Sequence, residues 1–351
     1  MKKKLFLFIL PALFAAASAQ SIEETKKNSR NQISGALEKT TDLISEVLPE
    51  NSSLLGNQPD AFIGKFIPSI PMHFTAGISF SGTFIKSETL KDAADDFSSG
   101  IAETLKAGNA SDDFSIDFSL PANIPVPAAA FTFRLGGIVL PLDIGLHGAT
   151  TFNGVIKDIT FDDFKAGLDY TTIGADLRYA ILQGNGLLPK FSVGGGYIYS
   201  SLSFDFEAKK NFKTNSSYEI EGEAVSAPDS YDANLTGDIN ISSKTHTIFA
   251  QAQLSKKLLV FEPYIGTKLF MTKTVNEYDW KYNTSVNGSR QELLSDSDKK
   301  SETKDFSTDN ISTQFFGGLG ISLGKFQIAL NGAYNVKTSY WSAGLNLNFK
   351  N

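Results

Sequence analysis

The chain has no cysteine and only three histidines, His73, His147 and His246. Without thiols there is no disulfide scaffold, thiolate zinc site, iron–sulfur ligation or cysteine nucleophile. Three scattered histidines form no metal cluster. Acidic groups such as Asp92, Asp95 and Asp96 lack the alternating ligands and bidentate glutamate of a calcium loop. Neither a metal nor a cofactor is expected. Basic charge is also short: 32 Lys and Arg face 38 Asp and Glu, with no basic block. Nucleic acid is therefore not an expected partner. No run after the N-terminus approaches the roughly 18 apolar residues of a transmembrane helix. Phenylalanine, by contrast, is plentiful at 28 residues.

Lys2, Lys3 and Lys4 precede a short apolar core, Leu5 to Ala17, and Ala17-Ser18-Ala19 is a small-x-small cleavage site. This pattern predicts a secretory signal peptide over residues 1–19. An exported, cysteine-free, phenylalanine-rich chain is expected to be either a secreted β-protein or a membrane β-barrel.

The hydrophobic period is two. Phe326, Ile328, Leu330, Tyr334 and Val336 alternate with Gln327, Ala329, Asn331 and Asn335. Trp341, Ala343, Leu345, Leu347 and Phe349 alternate with Ser342, Asn346 and Asn348. Alternation of this kind predicts strands with one apolar and one polar face. It recurs near 73–85, 130–139, 142–152, 167–181, 190–206, 240–254, 259–275, 309–323, 325–336 and 340–349. Within 191–206 the apolar row shifts near Tyr199, where a bulge is expected.

The connections separate the two classes. Gly324, Ser255–Leu258, Gln183–Pro189 and Leu140–Pro141 are short. On the other side the links are Lys337–Ser339, Glu277–Thr308, Glu207–Ile239, Asn153–Ala166 and Lys86–Ala129, and four of these five are long. Short turns on one side and long loops on the other are the asymmetry of outer-membrane barrels, and a soluble sandwich does not predict it. The expected fold is all-β: a closed antiparallel transmembrane barrel of about ten strands, within a range of about eight to fourteen. Both termini are expected on the periplasmic side. Tyr334, Tyr340 and Trp341 are expected at one rim, Tyr264 and Phe349 at the other.

Two helices fall outside this pattern. One, over 31–48, carries Ile33, Leu37, Thr40, Ile44 and Val47 on one face, with Pro49 as its stop. It is expected in the periplasm or in the lower mouth of the barrel, as a cap or a plug. A linker follows to residue 71. The other, over 88–107, lies in the first extracellular loop. The organisation expected is signal peptide 1–19, helical segment and linker 20–70, barrel 71–351.

The polar row carries Arg134, Asp143, His147, Asp176, Arg178, Glu262 and Lys268. Two readings stay open. These groups form a charge network filling a narrow interior, or they line a constriction that selects solutes by charge. No enzyme is expected. His246 lies near Ser242 and Ser243 in sequence, but on an apolar row. His147 and Asp143 are roughly 13 Å apart along a strand, too far for direct orientation. His73 starts the first strand.

Several longer segments carry a resemblance. Gln58-Pro59-Asp60-Ala61-Phe62-Ile63-Gly64-Lys65 leads through Pro68 and Pro71 into His73-Phe74, followed by Gly137-Ile138-Val139-Leu140-Pro141-Leu142-Asp143-Ile144-Gly145 and Phe261-Glu262-Pro263-Tyr264-Ile265-Gly266. The chain resembles the outer-membrane β-barrel proteins of spirochaetes, the treponemes in particular, some of them likened to porins or long-chain fatty-acid transporters. The resemblance implies an outer-membrane location. Fatty-acid transporters have more strands and an Asn-Pro-Ala motif in an N-terminal plug, and this chain has neither. Its last strand ends Phe349-Lys350-Asn351 rather than on a terminal aromatic.

The function expected is a narrow channel for small solutes. The alternatives are a surface-exposed structural or adhesin barrel, or a transporter of a fatty-acid-like hydrophobe. Expected partners are outer-membrane lipid, the barrel-assembly machinery through the C-terminal strand, and a small solute or hydrophobic ligand.

Overall fold

Alternating rows need a closed sheet, and the chain closes one. The computed structural model describes residues 19–64, 72–86, 88, 123–137, 141–150, 159–161, 164–184, 188–214, 218–220, 223–225, 231–286 and 292–351. One helix, α1 (Ala19–Leu55), precedes the strands β1 (His73–Lys86), β2 (Asn123–Gly136), β3 (Leu142–Thr150), β4 (Ile159–Phe161), β5 (Phe164–Leu182), β6 (Lys190–Thr214) and β7 (Tyr218–Ile220). There follow β8 (Glu223–Val225), β9 (Tyr231–Ser255), β10 (Phe261–Val286), β11 (Glu292–Lys304), β12 (Ser312–Leu323), β13 (Phe326–Asn335) and β14 (Trp341–Lys350). Ten of them form the wall in the order β1-β2-β3-β5-β6-β9-β10-β12-β13-β14, all antiparallel. Strand β14 pairs back onto β1, with Phe80 opposite Leu345. The fold is a closed ten-stranded antiparallel barrel with an N-terminal helix, and each expected segment overlaps one wall strand.

The period-two rows sort as expected. Asn335, Asn346, Gln314 and Thr83 point inward and are buried. Phe131, Ile173, Ile265, Phe326, Leu330 and Trp341 point outward, each more than 60% exposed. A contiguous apolar girdle of this kind is far from the surface of a protein that lives in water.

Three expectations about the wall change. The shift near Tyr199 is not a bulge. Ser192, Ile198 and Ser200 of β6 are all buried on one row, and Ile198 and Phe204 are apolar because apolar neighbours fill the interior there. The register shift lies instead at Ala180/Leu182. Tyr264 and Tyr340 are not rim residues. Both face inward, Tyr264 against Leu54 and Tyr340 against Leu43 and Val47. The lower girdle holds Phe74, Phe133, Phe326 and Phe349, and the upper one pairs Tyr334 with Trp341 at 4.6 Å.

The segments 207–239 and 277–308 are largely strand rather than loop. Strands β6, β9 and β10 have 25, 25 and 26 residues, or roughly 80 Å each at 3.3 Å per residue. A lipid-facing band needs only about 25 Å. The surplus carries a sheet beyond the rim at the long-connection end. There β11 pairs with β10 above β12, from Thr274↔Lys304 to Ser285↔Glu292. The helix expected at 88–107 falls, Glu88 apart, outside the described residues.

Helix α1 runs straight through Pro49 to Leu55 instead of stopping. An interior proline costs about 3 kcal/mol. Every residue from Val47 to Leu55 is buried, and that burial outweighs the cost. The helix lies inside the barrel and its direction can be read from its partners. Ser34 donates to Asp298 of β11 and accepts from Trp280, Glu50 meets Gln314 and Asn335 mid-barrel, and Asp60 meets Lys190 and Lys350 at the short-turn end. The helix thus starts at the long-connection end, the opposite of the periplasmic start expected.

A ten-stranded barrel measures about 20 Å between facing backbones, from a 4.8 Å strand spacing and a tilt near 40°. One helix with side chains needs about 10–12 Å. The fit demands small inward residues, and Ala128 and Ala130 against Leu55 and Ala333 against Leu54 supply them. Leu55→Ala should therefore cost about 2–5 kcal/mol, read as a lower urea midpoint of the folded, heat-modifiable band. Leu330→Ala on the outer face should leave that midpoint near the wild-type value. Equal shifts would mean that the helix is not packed against the wall.

Candidate functional site

The interior holds a small set of buried charges. Arg134 on β2, Asp143 on β3, and Asp176 and Arg178 on β5 all lie on inward rows of neighbouring strands. The register sets Asp143 opposite Arg178, and sets Gly145 opposite both Arg134 and Asp176. A Cβ at Gly145 would sit 2.3 Å from Arg134 Nη2 and 2.4 Å from Asp176 Oδ1. The missing side chain leaves the space through which those two groups join.

Arg134 donates to Asp143 at 2.5 Å and to both oxygens of Asp176 at 2.8 and 2.9 Å. Arg178 holds Asp143 through two bonds of 2.9 Å. Its remaining nitrogen reaches the Asp60 carbonyl at 2.9 Å and Gln253 at 3.2 Å. The Ile63 amide adds a bond of 3.2 Å to Asp143. All four charged side chains are buried. Pairing and bidentate geometry offset the desolvation that isolated buried charges would suffer.

A second cluster lies at the short-turn end. Asp60 accepts from Lys190 at 2.7 Å and from Lys350 at 3.3 Å. Burial pushes the Asp60 carboxyl upward, but the Lys190 ammonium, a hydrogen bond with Glu262 and the Lys350 ammonium prevail and hold it well below the usual carboxylate range. Glu262 joins here, 3.6 Å from Lys350 and accepting from Gln327 at 3.2 Å.

Lys268 and His147 are placed separately. The Lys268 ammonium donates to the Ser53 carbonyl and sits 5.1 and 5.4 Å from the ring centres of Phe249 and Phe316. His147 is buried in a slot between α1 and β5. A Cβ at Gly56 would lie 3.0 Å from its ring, and one at Gly174 2.2 Å. The seven expected lumen residues are all inward, but they do not ring an open bore. Four form one network, Glu262 a second, and Lys268 and His147 each pack beneath the plug.

What the sequence reading missed is the polar segment at the end of α1 and beyond it. Asn51 donates to the Val126 carbonyl at 2.7 Å and accepts from Thr83 at 2.8 Å. Ser52 meets Ser200 at 2.6 Å and Ser53 donates to Gln314 at 2.8 Å. Asn346 donates to the Asn57 carbonyl at 2.6 Å, and Asn348 to Gln58 at 2.9 Å. The signal was there: Glu50-Asn51-Ser52-Ser53 and Asn57-Gln58 are polar but short, like the inward rows they meet.

The structure does not bring His246 to the serines near it in sequence. Ser243 faces inward and donates to Asn276 at 2.8 Å, whereas His246 faces outward and its Nδ1 lies 2.6 Å from the Tyr197 hydroxyl. Asp143, the carboxylate nearest His147 in sequence on that row, is committed to two arginines.

Arg178→Ala should leave Asp143 with one guanidinium and cost about 3–5 kcal/mol. Adding Asp143→Ala should return part of that loss. A urea double-mutant cycle on the detergent-folded protein measures it, and strictly additive losses would mean that the network is not coupled.

Comparison with solved structures returns membrane proteins of low identity. The Ralstonia pickettii toluene transporter TbuX is 10% identical, covers 86% of this chain and 96% of its own, and has a TM-score of 0.25. The translocator domain of the autotransporter NalP from Neisseria meningitidis is 8% identical over 88% and 94%, with a TM-score of 0.27. A Pseudomonas aeruginosa FadL homologue is 8% identical over 86% and 96%, also at 0.27. At such scores the fold rests on the chain's own strand pairing. No curated protein matches the chain at a significant level. A family model does match, over residues 16–350: the chain belongs to the Lsa36-like family.

Proposed function

We propose that this protein is an outer-membrane β-barrel sealed by its own N-terminal helix, and that it works as a surface-displayed platform rather than as a standing channel. The filled lumen carries this reading. Residues Val47 to Phe62 are buried apart from Gly56, which is half-buried, and the wall's polar row is spent on them. A channel for small solutes would need that segment to leave, parting Asp60 from Lys190 and Lys350 and taking the Asp60 carbonyl and Ile63 amide from the arginine–aspartate network. A hydrophobe path would need an apolar lining, and the apolar face of α1 is already committed to Ile241, Trp280, Ile85 and Tyr340. Arg178, Asp143 and Lys268 then serve as fasteners for the plug, with Arg134 and Asp176 bracing Asp143 from the wall, and not as a filter.

The outward apolar girdle and the signal-like N-terminus support export to the outer membrane, with lipid around the wall. The barrel-assembly machinery is the partner proposed for β14. The resemblance to spirochaetal barrels points the same way. Beyond the rim, β6, β9, β10 and β11 build a rigid sheet backed by α1. Contact with a host or matrix surface is its proposed work, and no catalysis is assigned.

The mature chain in planar bilayers should show no steady conductance, and a variant lacking residues 20–64 should conduct. Continuous ohmic conductance of the intact chain would overturn the sealed reading. Shortening 207–239 and 277–308 to tight turns should abolish binding of intact cells to host surfaces while leaving heat-modifiability unchanged. Unchanged binding would remove the platform reading.

A further inference from the structure

The short-turn end has a feature that the sealed barrel leaves without a task. The β9–β10 connection, Lys256-Lys257-Leu258-Leu259-Val260, closes in a tight hairpin: Leu258 N–H donates to the Phe261 carbonyl at 2.7 Å and Phe261 N–H to the Leu258 carbonyl at 2.9 Å. Leu259 sits at the tip with φ 57°. Glycine, asparagine or aspartate takes that left-handed conformation more readily than leucine does. Yet the side chain there is 92% exposed, and Leu258 and Val260 are exposed beside it. A leucine held in a disfavoured conformation, with nothing packed on it, serves no structural purpose in water.

Its surroundings say what covers it. Lys190↔Ser255 pairing brings the β5–β6 connection alongside, and Leu188 is exposed there. Ser322 N–H donates to the Val260 carbonyl at 2.7 Å, which sets the Gly324-Lys325 turn on the other side. The patch runs without a break into the outward girdle at Leu254, Phe261, Leu323 and Phe326. Its flanking charges are one sign only. Lys257 and Lys325 are exposed, and no Asp or Glu occurs in 137–141, 183–189, 256–260 or 324–325. At the opposite end the charges are mixed: β11 carries Glu292, Asp296, Asp298 and Glu302 with Lys299, Lys300 and Lys304.

We propose that the Leu258-Leu259-Val260 hairpin inserts into the lipid leaflet bordering the short turns, and that Lys257 and Lys325 hold anionic phospholipid headgroups around it. Leucines enter the acyl region while the lysine stems reach back to the phosphates. The inference rests on the membrane reading of the barrel.

The chain has no cysteine, so Leu259→Cys takes a single environment-sensitive nitrobenzoxadiazole label on the full mature protein. Ile265→Cys in the mid-girdle is the reference. Both are reconstituted in phosphatidylcholine vesicles with a minority of phosphatidylglycerol, and either lipid in turn carries a nitroxide quencher. The label at 259 is expected to be quenched, and more by the phosphatidylglycerol nitroxide than by the phosphatidylcholine one. Lys257→Gln and Lys325→Gln should each lower that preference by up to about five-fold. Quenching at 265 but not at 259, or equal quenching by both lipids, overturns the proposal and leaves the membrane reading standing. Quenching at neither position overturns both.

Discussion

Everything in this structure follows from the width of the bore. Ten strands at their usual spacing and tilt enclose a polar cylinder about one helix wide once inward side chains are counted. A cylinder of that size is too narrow to be a generous aqueous pore and too wide for ten-strand side chains to fill alone. Something must occupy it, and what occupies it must present polar groups to a polar wall. Helix α1 and the residues after it satisfy both demands. Inward Thr83, Ser200, Gln314, Asn335, Asn346 and Asn348 of the wall gain partners from them without water, and the buried arginines and aspartates pair in the same layer.

The wall was legible in the sequence because a period of two is a direct statement about two environments. Phe326 to Val336 shows it, and so does the run from Trp341 to Phe349. Closure was legible too, since alternating short and long connections require both ends of every strand to be accounted for. The reading failed where the environment changed along a strand. Ile198 and Phe204 look like a slipped register until Ile198 is placed against the inward Phe249 and Phe270, and Phe204 against the cluster built on Leu37 of α1. Tyr264 and Tyr340 look like belt residues for the same reason. A sequence read strand by strand assigns a residue to lipid or to water, and a plug is a third neighbour.

The lumen charges were legible as a set but not as a task. Arg134, Asp143, Asp176 and Arg178 announce buried charge wherever they fall on an inward row. Whether they face each other across open space depends on Asp60 and Ile63, which read as linker. Pro49 deepened the error. Proline ends helices in water, where its missing bond and ring clash meet no compensation. Here nine consecutive buried residues surround it, and the helix continues.

The plug is fastened unequally along its length, and the inequality has a direction. At the outer end, Glu38 pairs with Lys300 at 2.7 Å and Asp42 with Lys304 at 2.6 Å, all four groups about 40% or more exposed. Such pairs contribute about 0–1 kcal/mol each. Mid-barrel the helix is held by packed leucines and satisfied amides, where each lost contact leaves a buried group unpaired. At the inner end it meets the arginine–aspartate network through the Asp60 carbonyl and the Ile63 amide, and Lys190 and Lys350 through the Asp60 carboxylate. Loosening therefore begins at the outer end, where α1 leans on the extended sheet, and meets rising resistance toward Asp60. On the proposed platform reading, a partner seated on β10 and β11 would act on the weakest stretch of the plug and leave the strongest stretch, around Asp60, closed.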